Sequence, residues 1–173
     1  MKQIIIYRSR TGFTERYARW LAEALKCTCV PVEQVETIRL ADYDVIIFGS
    51  SFRAGTIESI KWYKENVLPA GKLNVVFVTG ATPPASPEVI KSMEQNFSRQ
   101  ERKEIRTFYL QSGLNYEAMN FGDKLMMKMF RSMLKSKKTK NEEERAFAEL
   151  VQKSFDCCDP ANMEPMLNYL QGL

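Results

Sequence analysis

Three short runs of branched apolar residues constrain the fold of this chain more than anything else in it: Ile4 to Tyr7, Val45 to Phe48 and Val75 to Val78. Each is too short for a helix, lacks the polar alternation of a strand with one wet face, and stops at a turn-prone pair, Arg8-Ser9, Gly49-Ser50 or Thr79-Gly80. Runs of that kind read as strands buried on both faces. Between the first two, Thr14 to Lys26 carries Tyr17, Ala18, Leu21, Ala24 and Leu25 at helical spacing, followed by a strand around Cys29 to Val32. Ile57 to Val67 reads as a second helix. Pro83, Pro84 and Pro87 then punctuate a loop before a helix from Pro87 to Phe97, with Ser86 as its N-cap and Pro87 at its first position, and Arg106 to Gln111 gives the last strand. Strands alternating with helices imply βαβ units, so the expected fold is α/β: a doubly wound, five-stranded parallel sheet between helix layers. The 173 residues form a single domain in this reading.

Right-handed crossovers put the loops that follow the strands along one sheet edge, and ligands collect there where the strand order reverses. The composition narrows the chemistry at that edge. There is no histidine, which removes the Ser-His-Asp triad, the Cys-His dyad, His-ligated zinc and the HExxH helix together. Cys27, Cys29, Cys157 and Cys158 lie as C-x-C and C-C, a pattern of reduced thiols with no metal-ligand spacing, so no metal is expected. The start MKQIIIYRSR has no secretory apolar region, and no run reaches the ~20 apolar residues of a membrane span. A cytoplasmic protein is expected. The net charge of +4 is concentrated in one segment, where Lys124, Lys128, Arg131, Lys135, Lys137, Lys138 and Lys140 face Asp123 alone. The basicity is therefore local, and with no interleaved exposed aromatics and no reader motif a nucleic-acid partner is not expected.

The loop after the first strand is Ser9-Arg10-Thr11-Gly12-Phe13-Thr14, and it leads straight into an amphipathic helix. A helix start offers unpaired N–H groups and a positive dipole end, Gly12 lets the backbone come close, and the hydroxyls of Ser9, Thr11 and Thr14 can each donate to a phosphate oxygen. Arg10 either adds charge or points to solvent. Neither G-x-G-x-x-G nor G-x-x-x-x-G-K-[ST] is present, which disfavours dinucleotides and nucleoside triphosphates. This loop resembles that of the flavodoxin family, whose phosphate loop reads [ST]-x-T-G-x-T after the first strand. The resemblance implies strand order 2-1-3-4-5 and FMN at the switch point. It also implies that Ser50-Ser51-Phe52-Arg53-Ala54-Gly55 and Thr79-Gly80-Ala81-Thr82, after the third and fourth strands, contact the flavin ring. Phe52 can lie against its face. Arg53 is either a fixed cation that favours an anionic reduced ring or a solvated loop arginine. No side-chain acid or base is required, so no catalytic residue is named.

Beyond the fifth strand a helical insertion is expected at about 117–155. Phe121, Leu125, Met129 and Met133 recur at steps of four beside Met126, Phe130 and Leu134, while Lys124, Lys128, Arg131 and Lys135 line another face. Such a basic, Met-rich helix packs on its own domain, lies on an anionic membrane surface or receives a protein partner. Gly113-Leu114-Asn115-Tyr116, followed by Phe121-x-Asp123-Lys124-Leu125-Met126-Met127-Lys128, together with Gly49-Ser50-Ser51-Phe52-Arg53-Ala54-Gly55, is similar to the flavodoxin-like, menaquinone-dependent protoporphyrinogen dehydrogenases of haem synthesis. That resemblance implies an FMN oxidoreductase working with a redox partner or quinone and peripheral at the inner face of the membrane. The alternative is a flavin-free adaptor of the same fold that binds a membrane or a protein through the basic helix.

Overall fold

The computed structural model describes residues 1–70, 72–137 and 141–173; Lys138 and Lys140 of the basic segment lie outside the described residues. Five parallel strands form the sheet: β1 (Gln3–Tyr7), β2 (Thr28–Pro31), β3 (Val45–Arg53), β5 (Leu73–Gly80) and β6 (Ile105–Gln111), in the spatial order β2-β1-β3-β5-β6. A short β4 (Thr56–Ile57) pairs only with β3. Counting the parallel strands alone, this is the order 2-1-3-4-5 that the first-loop resemblance implied.

The apolar runs are buried on both faces because alternate residues feed two separate cores. Ile4, Ile6, Ile46, Phe48, Val76 and Val78 enter one, while Ile5, Tyr7, Val45, Ile47, Val75 and Phe77 enter the other. Full burial of each such side chain contributes about 1.5–3 kcal/mol. On the second face α1 (Phe13–Leu25) packs Tyr17, Ala18 and Leu21 beside Met166 and Leu170 of α7 (Glu164–Gln171). On the first lies α2 (Ile60–Asn66), whose Tyr63 stacks on Phe48 at 4.8 Å. The helix expected from Ile57 starts three residues later, since Ile57 is taken up in β4 opposite Phe52.

The stretch expected as a loop after the third strand is strand instead. β3 continues through Gly49, Ser50, Ser51, Phe52 and Arg53, and the chain reverses at Ala54 (φ 50°) and Gly55 (φ 79°) into β4. Positive φ at both central residues suits a tight hairpin turn that matches strand twist. Thr79 and Gly80, also expected in a loop, are the last residues of β5.

α3 (Pro87–Gln95) begins with proline in its first turn as expected; the Ser86 hydroxyl bonds to the Glu88 carboxylate and to no helix amide. α4 (Glu101–Glu104) precedes β6. Past β6, the two-residue β7 (Gly113–Leu114) pairs antiparallel with β8 (Phe155–Asp156), and this ladder brackets the insertion. Within it lie α5 (Phe121–Ser136), capped by Asn120, and α6 (Glu142–Leu150), which starts at a reciprocal capping box between Asn141 and Glu144. Asp159 caps the turn that leads into α7 by accepting from the Ala161 amide at 2.8 Å.

The two apolar rows of α5 part company, and one expectation for this helix is corrected. Asp123, Met126, Met127, Phe130 and Leu134 face inward, whereas the row Phe121, Leu125, Met129 and Met133 is exposed. Arg131, expected with the lysines, turns in: its guanidinium lies 5.3 Å from the Tyr116 ring and donates to the Gln152 carbonyl at 3.2 Å. Among the described residues no helix is long and apolar enough to cross a membrane.

Candidate functional site

All five parallel strands end on the same edge of the sheet, and an open cleft lies there between the β1–α1 turn, the ends of β3 and β5, and the first turns of α5. It encloses about 660 Å³ of free space, part of it open to solvent. The backbone that starts it is fixed by the sheet: the Arg8 amide donates to the Gly49 carbonyl at 2.8 Å. At Gly12 the chain takes a φ of 93°, and a Cβ there would meet nothing within 4 Å. The glycine is required by conformation and not by crowding. No side chain caps α1, so the first-turn amides of Phe13, Thr14 and Glu15 have no intrahelical acceptor and remain available to an anion.

The inner wall is uncharged and buried. Thr14 and Thr79, 2% and 1% exposed, bring their hydroxyls within 2.8 Å of each other, tying the first loop to the end of β5. Either hydroxyl can donate in that pair, but the Thr79 hydroxyl also donates to the Ser50 carbonyl at 3.4 Å, in which case Thr14 gives its proton to Thr79 and offers a ligand its backbone amide. The Ser9 hydroxyl is buried with no hydrogen-bond partner. An orphaned donor of that kind costs about 1–3 kcal/mol, which a bound acceptor would recover. Phe52 lies against Tyr109, ring centroids 6.1 Å apart, and the Tyr109 hydroxyl donates to the Thr82 carbonyl at 2.7 Å. Burial pushes the Tyr109 pKa far up, so this phenol stays a neutral donor.

The outer wall is ionic. The Arg53 Nε donates to Asp123 Oδ1 at 2.8 Å, Arg10 approaches Asp123 Oδ2 at 3.6 Å, and Arg10 also pairs with Glu58. The hydrogen bond from Arg10 to Glu58 raises the arginine's pKa. Asp123 is placed by its own helix start: its amide donates to the Asn120 cap at 2.8 Å, which leaves a carboxylate in the first turn of α5, where the dipole favours it. Of the two readings of Arg53, the structure supports neither in pure form. Arg53 lines the cleft with its side chain 46% exposed, but its charge is matched by Asp123.

Of the expected ring and phosphate contacts, Arg10, Thr11, Phe13, Thr14, Ser51, Phe52, Arg53, Thr79, Gly80 and Ala81 line this one cleft. Ser9 and Gly12 belong to the same turn as the lining Arg10, Thr11 and Phe13, and the Thr82 carbonyl serves Tyr109. Ser50 is wholly buried and gives its hydroxyl to the Glu58 carbonyl at 2.7 Å. Ala54 and Gly55 form the hairpin turn away from the cleft, where the Gly55 carbonyl accepts from Asn96. Eight residues not expected there also line it: Glu58, Ser112, Gly113, Leu114, Met119, Asp123, Met126 and Met127. Met126 and Met127 complete the outer side; their place in the resemblance to the quinone-linked group is the only sequence signal that pointed to this wall.

The thiols take no part. All four cysteines are free, and burial pushes Cys27 and Cys29 up to about 11 and Cys158 up to about 12, so these three are protonated near neutrality.

Residues 4–141 match a family described as "Flavodoxin domain". No curated protein matches the chain. Among solved structures, the chain is similar to a flavodoxin from the domain Archaea (14% identity, TM-score 0.44, covering 88% of this chain and 97% of that one). It is also similar to oxidised Flavodoxin 2 from Bacillus cereus (20%, 0.45, 88% and 98%) and to the Trp repressor binding protein from Bacillus subtilis (12%, 0.47, 89% and 100%).

Proposed function

The chain belongs to the flavodoxin-domain family, and from that premise we propose that it binds FMN in the cleft and acts as an electron-transferring flavoprotein. One observation carries the reading: a buried, partnerless Ser9 hydroxyl beside an uncapped helix start whose left-handed Gly12 exposes the first-turn amides. Those donors, with Thr11 and Thr14, suit a phosphate monoester held by hydrogen bonds at a helix N-terminus. The residues present therefore fit the phosphate end of FMN. At the ring end, Ser51, Phe52, Gly80 and Ala81 line one side of the cleft, and Met126 and Met127 line another. The flavin, when bound, supplies the redox chemistry. This chain's part is to hold, orient and desolvate it, while the compensated Arg53–Asp123 pair limits the net field on the ring.

The finer reading is a quinone-linked dehydrogenase acting on a porphyrinogen. What supports it is the similarity of Gly113 to Tyr116 and Phe121 to Lys128 to that group, together with Leu114, Met126 and Met127, the apolar side chains these segments bring to the cleft beside Asp123. The visible spectrum of purified protein, recorded after FMN is added and the unbound fraction removed, tests the main proposal. Retained bands near ~370 and ~450 nm are expected for bound flavin. A colourless protein that refuses FMN would overturn it and leave the adaptor reading. Reduced porphyrinogen should then bleach the bound flavin and a quinone restore it; a flavin inert to both leaves a simple electron carrier.

A further inference from the structure

The two arginines of the outer wall serve a second space. Beside the cleft, between the β3–β4 hairpin and the start of α2, lies a hollow with about 720 Å³ of free space, much of it open to solvent. Arg10, Arg53 and Glu58 line both the cleft and the hollow. The charge balance on the two sides differs. In the cleft Asp123 joins them, giving two cations and two acids; in the hollow Lys61 takes the place of Asp123, and the lining carries three cations and one acid. That acid is already committed, since Glu58 pairs with Arg10 and the Arg8 Nε stands 4.0 Å from the same carboxylate oxygen. Lys61 is 89% exposed and approaches Glu65 at 3.8 Å, a residue outside the lining.

Both guanidinia are held by one edge. Arg53 donates from Nε to Asp123 at 2.8 Å and Arg10 from Nε to Glu58; among the described residues neither makes a hydrogen bond from its terminal nitrogens. A planar fork anchored in this way by a carboxylate loses little freedom when its remaining donors grip an oxyanion. The backbone that carries Glu58 is itself fixed to the sheet edge: its amide donates to the Ser51 carbonyl at 2.9 Å, and its carbonyl accepts from the Ser50 hydroxyl at 2.7 Å. Thr56 and Ser59 add hydroxyls to the hollow, while Ile57 and Ile60 add apolar surface that a bare inorganic ion would not use. We infer that the hollow is a subsite for the carboxylate of an organic molecule, gripped by Arg10, Arg53 and Lys61 beside the cleft. Its place next to a flavin rests on the reading of the cleft as an FMN site; the binding of a carboxylate does not.

Calorimetric titration of the full chain with phthalate, at constant ionic strength, tests it in protein with and without FMN. Saturable binding is expected in both, and in the FMN-loaded protein the flavin absorption should shift with the same midpoint. Lys61→Glu changes an exposed position, so circular dichroism and FMN retention should stay as in the parent, while phthalate binding weakens by at least about tenfold. Arg53→Gln should weaken it further, since it removes the fork as well as the charge. Lys153→Glu makes the same charge change at an exposed residue that lines neither space and should leave phthalate binding nearly unchanged. No saturable binding by the folded parent overturns the proposal. Equal losses from Lys153→Glu and Lys61→Glu overturn it as well, because the attraction would then be net charge alone. Inorganic phosphate that binds the FMN-loaded protein as tightly as phthalate would assign the hollow to a free ion, and phthalate that binds without moving the flavin spectrum would place its site away from the cleft; either overturns it. A protein that refuses FMN yet binds phthalate, and loses it with Lys61→Glu, keeps the subsite while the flavin reading falls.

Discussion

The inner and outer walls of the cleft are built by different means. The inner wall consists of strand ends and one helix start locked into the sheet, with neutral hydroxyls such as those of Thr14 and Thr79 buried and bonded to each other. The outer wall is a helix from an insertion, leaned against the sheet edge by Arg53, Asp123, Arg10 and Glu58. The first arrangement draws its rigidity from the parallel ladder and cannot shift without disturbing the core. The second depends on partly exposed ion pairs, which are individually weak and sensitive to salt. A site of this kind grips a ligand from one side and can vary what approaches it from the other.

The largest effect should come from attacking the inner wall. Thr11→Glu together with Thr14→Glu puts negative charge where the phosphate would sit, and retention of FMN through gel filtration should be lost. Unchanged retention would mean that the grip lies elsewhere. Thr14→Glu alone should also lower the melting temperature, because the position is 2% exposed, whereas the half-exposed Thr11→Glu should leave it nearly unchanged. An intermediate effect is expected at the outer wall. Asp123→Asn removes the shared partner of Arg53 and Arg10 and should cost about 1–2 kcal/mol in urea denaturation, discounted for the exposure of both arginines. Limited proteolysis should then cut within α5 faster while the sheet stays resistant. Equal protection in variant and parent would show that the apolar contacts of Met126, Met127 and Phe130 hold the helix by themselves.

The smallest effect concerns the ladder at the base of the insertion. Burial pushes the Asp156 pKa up, but the hydrogen bonds from Arg16, at 2.5 Å, and from the Cys158 amide outweigh it and hold the carboxyl below its ordinary value of 3.8. A carboxyl depressed in the folded state contributes stability above its unfolded pKa and loses that contribution as the pH falls through the folded one. The parent's melting temperature should therefore drop more steeply below pH 3.8 than that of Asp156→Asn. With the side chain 45% exposed, the difference should stay under about 1 kcal/mol. Parallel curves would remove Asp156 from the acid sensitivity of the fold.

The same division runs through what the sequence made legible. The inner wall follows from local rules: Ile and Val runs predict the central strands, and Thr11-Gly12-Phe13-Thr14 after the first of them predicts the turn. The outer wall depends on partners far apart in the chain, Arg53 with Asp123 across 70 residues and Arg10 with Glu58 across 48. No periodicity carries such pairings. The continuation of β3 escaped because Ser50 and Ser51 read as loop residues and because Ala54 at positive φ is not a turn signal. For α5, the spacing revealed two apolar rows but not which one faces in; that choice follows from where Asp123 finds its arginines. Arg131 escaped because a long aliphatic stem lets the guanidinium fold back onto Tyr116 whatever face its Cα occupies.

The ladder of β7 and β8 has one more consequence. Leu114 pairs with Phe155 and Gly113 with Asp156, so everything from residue 115 to 154 leaves and re-enters the domain at a single point. A Cβ on Gly113 would fall 2.0 Å from the Phe155 carbonyl, and that closeness keeps the two ends clasped. The excursion is in effect a detachable cartridge. Because the entropy of closing a loop grows only slowly with its length, the cartridge can be exchanged for a longer or shorter one while the parallel sheet and its phosphate turn keep the same shape.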